Sequence, residues 1–264
     1  MKTITSRHNP VVTRYRDAAA GDAPAVVLLD GVHLIEEAVR AGLAVEHAAC
    51  STRGLAMPGM AALMDEVRAA GADTCSVADE VMRAMSPVRS PSGVVALARR
   101  PAPTLAQAFD APPHLVVVAV DVQDPGNVGA IVRAVEAGGA SGAIFTGASA
   151  DPFGWKALRG SMGSAFRVAV VKAEMPDVLA AARANEVRVV ATVPRGGRSP
   201  FDCDLRGGTA VVLGGEGPGL PDDVIACADE LISIPMRAPV ESLNVAVAAG
   251  LLVYEAARQR GAFV

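Results

Sequence analysis

The stretch Leu213-Gly214-Gly215-Glu216-Gly217-Pro218-Gly219-Leu220-Pro221 is the part of this chain that ordinary packing explains least. It follows Ala210-Val211-Val212-Leu213, an apolar run that reads as a buried strand ended by turn residues. Four glycines within six positions open positive φ to the backbone and let it approach a ligand with no Cβ in the way. Pro218 and Pro221 stiffen the same loop. Glu216 stands in it without a basic neighbour. A plain strand-to-helix turn is the simpler reading, but one or two Gly or Pro residues suffice for that.

The 264 residues allow two ordinary domains or one large one. Hydrophobic residues make up 51% and aromatics only 3%, so the core is expected to be built from Ala, Val, Leu and Ile. The longest apolar run, Val245 to Tyr254, is too short for a membrane span and suits a buried helix. Lys2 and Arg7 precede no apolar segment, so no signal peptide is expected. Cys50, Cys75, Cys203 and Cys227 are scattered without metal-type spacing. They read as reduced thiols of a cytoplasmic protein, with no metal site. The net charge of −4 excludes a protein that coats nucleic acid indiscriminately. Three stretches nevertheless hold bases and no acid: residues 1–16 (Lys2, Arg7, Arg14, Arg16), 81–109 (Arg83, Arg89, Arg99, Arg100) and 152–173 (Lys156, Arg159, Arg167, Lys172). They are either solvated arginines or parts of a phosphate-binding surface.

Strand and helix patterns alternate from Ala25 to Ala98, which predicts a small α/β domain over residues 1–100. Asn9-Pro10 gives a helix start before it. Four prolines within residues 101–113 mark a linker. A second α/β domain, 114–264, begins with the strand His114–Val120 and the loop Asp121 to Asn127. A helix follows with Val128, Ile131, Val132 and Val135 on its core face, Arg133 off that face, and Asn127 at the expected N-cap. Further strands at Ala143–Phe145, Arg167–Val171, Val187–Val193 and Leu231–Ile234 imply a mostly parallel sheet covered on both faces. The last helix places Leu243, Val247, Leu251 and Tyr254 along one side.

Three separated segments then belong together. Asp124-Pro125-Gly126-Asn127-Val128-Gly129 with Arg133, Gly214-Gly215-Glu216-Gly217, and Ile234-Pro235-Met236 with Ser242-Leu243-Asn244-Val245 resemble the three motifs of the SpoU/TrmH family. These are RNA ribose 2′-O-methyltransferases of the SPOUT superfamily. Ser6-Arg7-His8-Asn9-Pro10, Asp30-Gly31 and Ser90-Pro91-Ser92-Gly93-Val94-Val95 resemble the N-terminal RNA substrate-binding domain of rRNA-modifying members. The resemblance implies an L30e-like first domain and a second domain with a deep trefoil knot, an exception to the rule against threaded loops.

It also implies S-adenosylmethionine bound through backbone near Thr192, Gly214, Ile234, Met236 and Leu243. The catalytic pocket would be built by Asn127, Arg133, Glu216, Ser242 and Asn244. An arginine is too weak an acid to act as a free base, so Arg133 is expected to orient the ribose hydroxyl or bind its phosphate. The implied substrate is structured RNA, 23S rRNA ahead of tRNA, held in part by Arg7, Arg14, Arg16, Lys156 and Arg159. The implied assembly is a homodimer. A non-catalytic RNA-binding protein that kept the fold is the competing reading.

Overall fold

A computed structural model describes residues 2–110, 114–217 and 219–262; Ala111-Pro112-Pro113 of the expected linker and Pro218 of the glycine loop lie outside the described residues. The chain forms two compact units: Met1–Pro101 with Phe153–Phe166, and Ala102–Pro152 with Arg167–Val264. The segment 153–166 falls within 114–264 by sequence, yet it packs with the first unit.

The first unit runs β1 (Lys2–Ile4), α1 (Pro10–Ala20), β2 (Val26–Asp30), α2 (Val32–Arg40), β3 (Val45–Ser51), α3 (Thr52–Leu55), α4 (Met60–Ala69), β4 (Asp73–Val77), α5 (Asp79–Met85) and β5 (Val94–Arg99). Asn9 caps α1, its side chain accepting the Val11 N–H at 2.9 Å, with Pro10 at the first helical position. The strands are ordered β1-β4-β3-β5-β2. β1, β4 and β3 are parallel, while β5 runs antiparallel to both β3 and β2. One core gathers Val12 and Tyr15 of α1, Val81, Met82 and Met85 of α5, and Leu28, Val95 and Leu97 of the sheet, with Trp155 against it. Within it the Tyr15 hydroxyl and His47 Nδ1 share a hydrogen bond of 2.8 Å.

The second unit runs β6 (Leu115–Val120), α6 (Pro125–Ala137) and β7 (Gly142–Thr146). The chain then makes α7 (Trp155–Ser161) in the first unit. It returns as β8 (Ala169–Lys172), α8 (Met175–Ala184), β9 (Arg188–Thr192), β10 (Thr209–Gly214), α9 (Asp222–Ala226), β11 (Glu230–Ile232) and α10 (Val245–Gln259). All six strands are parallel, in the order β11-β9-β10-β6-β7-β8. Every residue of β6 is buried, as expected of a strand covered on both faces.

The expected linker is partly core. Residues Ala106–Phe109 form a short 3-10 helix whose Ala108 and Phe109 are buried with the sheet and α8. A Cβ on Gly142 would lie 2.8 Å from the Ala108 Cα, so this turn is seated directly on β7. Proline content marked a break between patterns; the apolar pair inside it decided the packing.

α6 and α10 lie against each other. Gly138 faces Val253 so closely that an added Cβ would meet its Cγ1 at 2.2 Å. The end of α10 is tied to the β9–β10 connection: Gln259 Nε2 donates to the Cys203 carbonyl at 3.0 Å, and Arg260 Nε donates to the Leu205 carbonyl at 2.8 Å.

Candidate active site

Parallel register brings the motifs side by side. Gly214 pairs with Val120, so the glycine loop leaves β10 beside the loop that leaves β6. The Gly215 N–H donates to the Val120 carbonyl at 2.7 Å. A Cβ on Gly215 would sit 2.1 Å from the Asp121 carbonyl oxygen, and one on Gly214 would sit 2.4 Å from the Gly219 carbonyl carbon. These two glycines are therefore required by the chain's own backbone. Only Gly217 and Gly219 take the positive φ that glycine permits, at 110° and 80°.

At the carboxyl ends of β9, β10 and β11 these loops enclose a cavity of about 440 Å³. All five residues expected at the cofactor, Thr192, Gly214, Ile234, Met236 and Leu243, line it. So do Glu216, Ser242 and Asn244. The place is the carboxyl edge at which open α/β sheets bind ligands, and the volume is that of a small-molecule site.

Asn127 and Arg133 are not in the lining. The N-cap of α6 is Asp124, whose Oδ1 accepts the Asn127 N–H at 3.0 Å with Pro125 following, so Asn127 lies inside the helix with its side chain released. That amide joins the two other segments. Asn244 Nδ2 donates to Asn127 Oδ1 at 2.9 Å, and Asn127 Nδ2 donates to Glu216 Oε1. Asn244 Oδ1 meanwhile caps α10, accepting from Ala246 N at 2.9 Å and Val247 N at 3.3 Å. The cap commits that oxygen and leaves only the Nδ2 donors for Asn127; Asn127 must then turn its own donors to the carboxylate. One orientation satisfies all three side chains. Asn244 thus caps α10 through its oxygen and reaches Asn127 through its nitrogen.

Arg133 is exposed, on the stripe of α6 with Gly126, Ala130 and Ala137, about 9 Å along the axis from Asn127. No ion pair involves it among the described residues. Sequence spacing placed it correctly off the core face but not at the cavity of its own chain.

The basic residues expected at RNA all belong to the first unit. Arg7 pairs with Glu80 at 3.6 Å, Arg14 with Glu46 at 3.3 Å, and Arg159 with Asp30 at 4.0 Å. Lys156 sits over the Trp155 ring, and Arg16 is exposed. Asp30, at the carboxyl end of β2, also accepts the Ser86 hydroxyl at 2.5 Å; burial raises its pKa against both contacts.

Cavity lining that sequence reading missed includes Glu241, which pairs with Arg195 at 3.5 Å, and Leu220, which faces the cavity from beyond the glycines. Neither carries a local pattern, because their place depends on loops meeting in space.

The geometry agrees with comparisons to known proteins. Residues 114–254 match the SpoU rRNA Methylase family, and residues 1–111 match the N terminus of the thiostrepton-resistance methylases. The chain is 33% identical over 267 residues to an uncharacterized tRNA/rRNA methyltransferase of Synechocystis, covering 98% of this chain and 95% of that one. It is 28% identical over 235 residues to the 23S rRNA (guanosine(2553)-2′-O)-methyltransferase RlmP of Bacillus subtilis, covering 86% of each. The AdoMet-bound rRNA methyltransferase of Sinorhizobium meliloti superposes with a TM-score of 0.87 at 28% identity, over 97% of both chains. Matched across both halves and along nearly its whole length, this chain belongs to the SpoU rRNA Methylase family.

Proposed function

We propose that the protein methylates a ribose 2′-hydroxyl in structured RNA, with 23S rRNA ahead of tRNA, using S-adenosylmethionine held in the cavity at β9, β10 and β11. The observation that carries this is the side-chain chain Asn244–Asn127–Glu216, which joins three segments distant in sequence at the edge of that cavity. Packing alone gives no reason for an exposed carboxylate, an exposed amide and a half-buried amide to be so arranged. The 23S preference is supported by the RlmP relative. A cytoplasmic enzyme fits this substrate, and no helix among the described residues is long and apolar enough to cross a membrane.

The residues present suit the cofactor. Gly214, Gly215 and Gly219 offer main chain to an adenine edge, and Leu220, Ile234, Met236 and Leu243 offer apolar cover. S-adenosylmethionine supplies an electrophilic methyl whose sulfonium leaves as a neutral thioether. The chain's own residues position the attacking hydroxyl, and positioning of two bound reactants supplies much of the rate. Glu216, held by the Asn127 amide, and Ser242 present polar groups to the incoming ribose. Arg133 orients that ribose or its phosphate. The second unit is read as the knotted fold of its family, and the first as L30e-like.

The assembly is read as a homodimer. Val247, Leu251 and Tyr254 form an exposed stripe along α10, 53%, 48% and 48% accessible, continued by Leu243. In an isologous contact of this kind Arg133 is read as serving the cavity of the second protomer.

Calorimetry with S-adenosylmethionine, followed by mapping of 2′-O-methyl groups after incubation with 23S rRNA and with tRNA, tests the reading. Saturable binding and ribose methylation of 23S rRNA are expected. Cofactor binding without methylation of either RNA would leave the non-catalytic alternative standing.

A further inference from the structure

The first unit holds a second cavity, of about 450 Å³, which none of the family's three motifs reaches. It opens where the carboxyl ends of β3 and β4 meet the start of β5: Ser51 ends β3, Asp79 follows β4 and Gly93 precedes β5. Its floor is main chain. The Ser51 N–H donates to the Gly93 carbonyl at 2.7 Å, and a Cβ on Gly54 would lie 2.6 Å from the same oxygen. The Ser51 hydroxyl accepts the Gly54 N–H at 2.9 Å, which fixes the turn into α3. The cavity is therefore built into the fold.

Three guanidiniums line it, those of Arg53, Arg83 and Arg89, against the single carboxylate of Asp79. That carboxylate already accepts the backbone N–H of Arg53 at 3.3 Å. Elsewhere in the unit Arg7, Arg14, Arg40 and Arg68 are paired with Glu80, Glu46, Glu37 and Asp65. Among the described residues no ion pair engages the three cavity arginines. Unpaired forks converging in a chain of net charge −4 mark a site for phosphate oxygens. The remaining wall mixes Ser90 and Ser92 with the apolar Met57, Met82 and Pro91. Met57 is 48% exposed beside the cavity, and buried Met82 lies behind it. A bare anion has no use for thioethers, whereas a base gains contact with soft, polarisable sulfur. The space suits one nucleotide and not a duplex.

We propose that this cavity takes a single unstacked nucleotide of the bound RNA, its base against Met57 and Met82 and its flanking phosphates on Arg53, Arg83 and Arg89. Recognition of splayed-out bases is how proteins read RNA whose paired grooves are closed to side chains. The inference rests on the reading of the protein as an RNA-modifying enzyme. It assigns grip to residues distinct from Arg7, Arg14, Arg16, Lys156 and Arg159.

The test uses the full-length protein and a labelled RNA hairpin, either fully paired or carrying a one-nucleotide bulge of A, C, G or U. Anisotropy should show at least one bulged hairpin bound about tenfold more tightly than the paired one. Arg53→Gln/Arg83→Gln/Arg89→Gln should abolish that preference and flatten the slope of log K against log salt by about two. Met57→Ser should lose the preference but keep the slope. All four positions are exposed, so thermal melts should match wild type. Equal binding of bulged and paired hairpins by the wild type would overturn the proposal, as would a preference surviving in the triple variant. Calorimetry with AMP, GMP, CMP and UMP separates the sources. Free monophosphates should bind at best in the millimolar range; tight binding of one, without a bulge preference, would make the cavity a free-nucleotide site instead. S-adenosylmethionine calorimetry on the same proteins stands apart, since failure there would remove the methyl-transfer reading and leave the hairpin result intact.

Discussion

At the scale of single residues, Asn244 separates folding from chemistry most cleanly. Its oxygen caps α10, and its nitrogen starts the chain through Asn127 to Glu216. Aspartate caps a helix as well as asparagine but cannot donate. Asn244→Asp should melt within a degree or two of wild type. Turnover should fall on the order of a hundredfold, because Asn127 can then donate to residue 244 and release Glu216. An unchanged rate in single-turnover methylation would show that the chain is structural only. Arg133 offers the complementary case. Exposed and outside the lining, it can be lost without cost to packing, so Arg133→Ala should fold and bind cofactor normally while turnover drops about a hundredfold or more. Mixing this variant with Glu216→Gln and re-associating the subunits should restore part of the activity if Arg133 serves the second protomer. No recovery would return it to its own chain. Arg133 and Glu216 were legible in sequence as motif members, but the distance between Arg133 and the cavity was not, since helical periodicity reports a face and not what the face meets.

At the scale of elements, α10 presents two apolar faces. Ala249, Leu252, Val253 and Ala256 are buried in the unit, and each large one contributes about 1.5–3 kcal/mol by leaving water. Val247, Leu251 and Tyr254 face outward. Val247→Lys/Leu251→Lys should therefore leave the second unit folded yet convert a dimer to a monomer in light scattering at micromolar concentration. A wild type that is itself monomeric there would refute the assembly. Both faces were visible in sequence as one long apolar run. Which face was spoken for depended on α6, where Gly138 admits Val253 of α10 closely. The proline-rich linker failed for a related reason: composition reveals where a pattern stops, not that Phe109 finds a place beside β7 and β8.

At the scale of the molecule, two features bear on stability. The first concerns the Tyr15–His47 pair. Burial, aided by Arg14, lowers the His47 pKa below its ordinary 6.5, so the unfolded chain takes up a proton more readily than the native one. The stability this contributes is present above about pH 6.5 and is lost as pH falls through the native pKa. Trp155 is the only tryptophan and lies in the first unit, so its fluorescence follows that unit's urea unfolding. The midpoint should fall between pH 7 and pH 5.5, and His47→Gln should flatten that dependence. A wild-type midpoint that does not move would contradict the desolvation argument. The second feature is the excursion of residues 153–166. A fragment beginning at His114 keeps every residue of the β9–β11 cavity but strips partly buried Trp155 and buried Leu158 of the first unit they belong to. It should aggregate at concentrations where the full chain is soluble, as judged by size-exclusion chromatography. A soluble, monodisperse fragment would show that α7 is not needed as an anchor.

What the sequence determined by itself was local or repetitive: the alternation of strands and helices, the capped start at Asn9-Pro10, the buried β6 and β10, and the three motif segments in order. Each of these is encoded within a few turns of chain, by periodicity, capping chemistry or glycine. The tertiary structure decided what depends on separated residues meeting. It assigned 153–166 to the first unit, seated Phe109 in a core, chose Asp124 over Asn127 as the cap of α6 and so freed an amide for Glu216, and set three unpaired arginines around one cavity. Contacts across tens of residues carry no spacing for a sequence to display, and parallel strands place their ends together only once the sheet has formed.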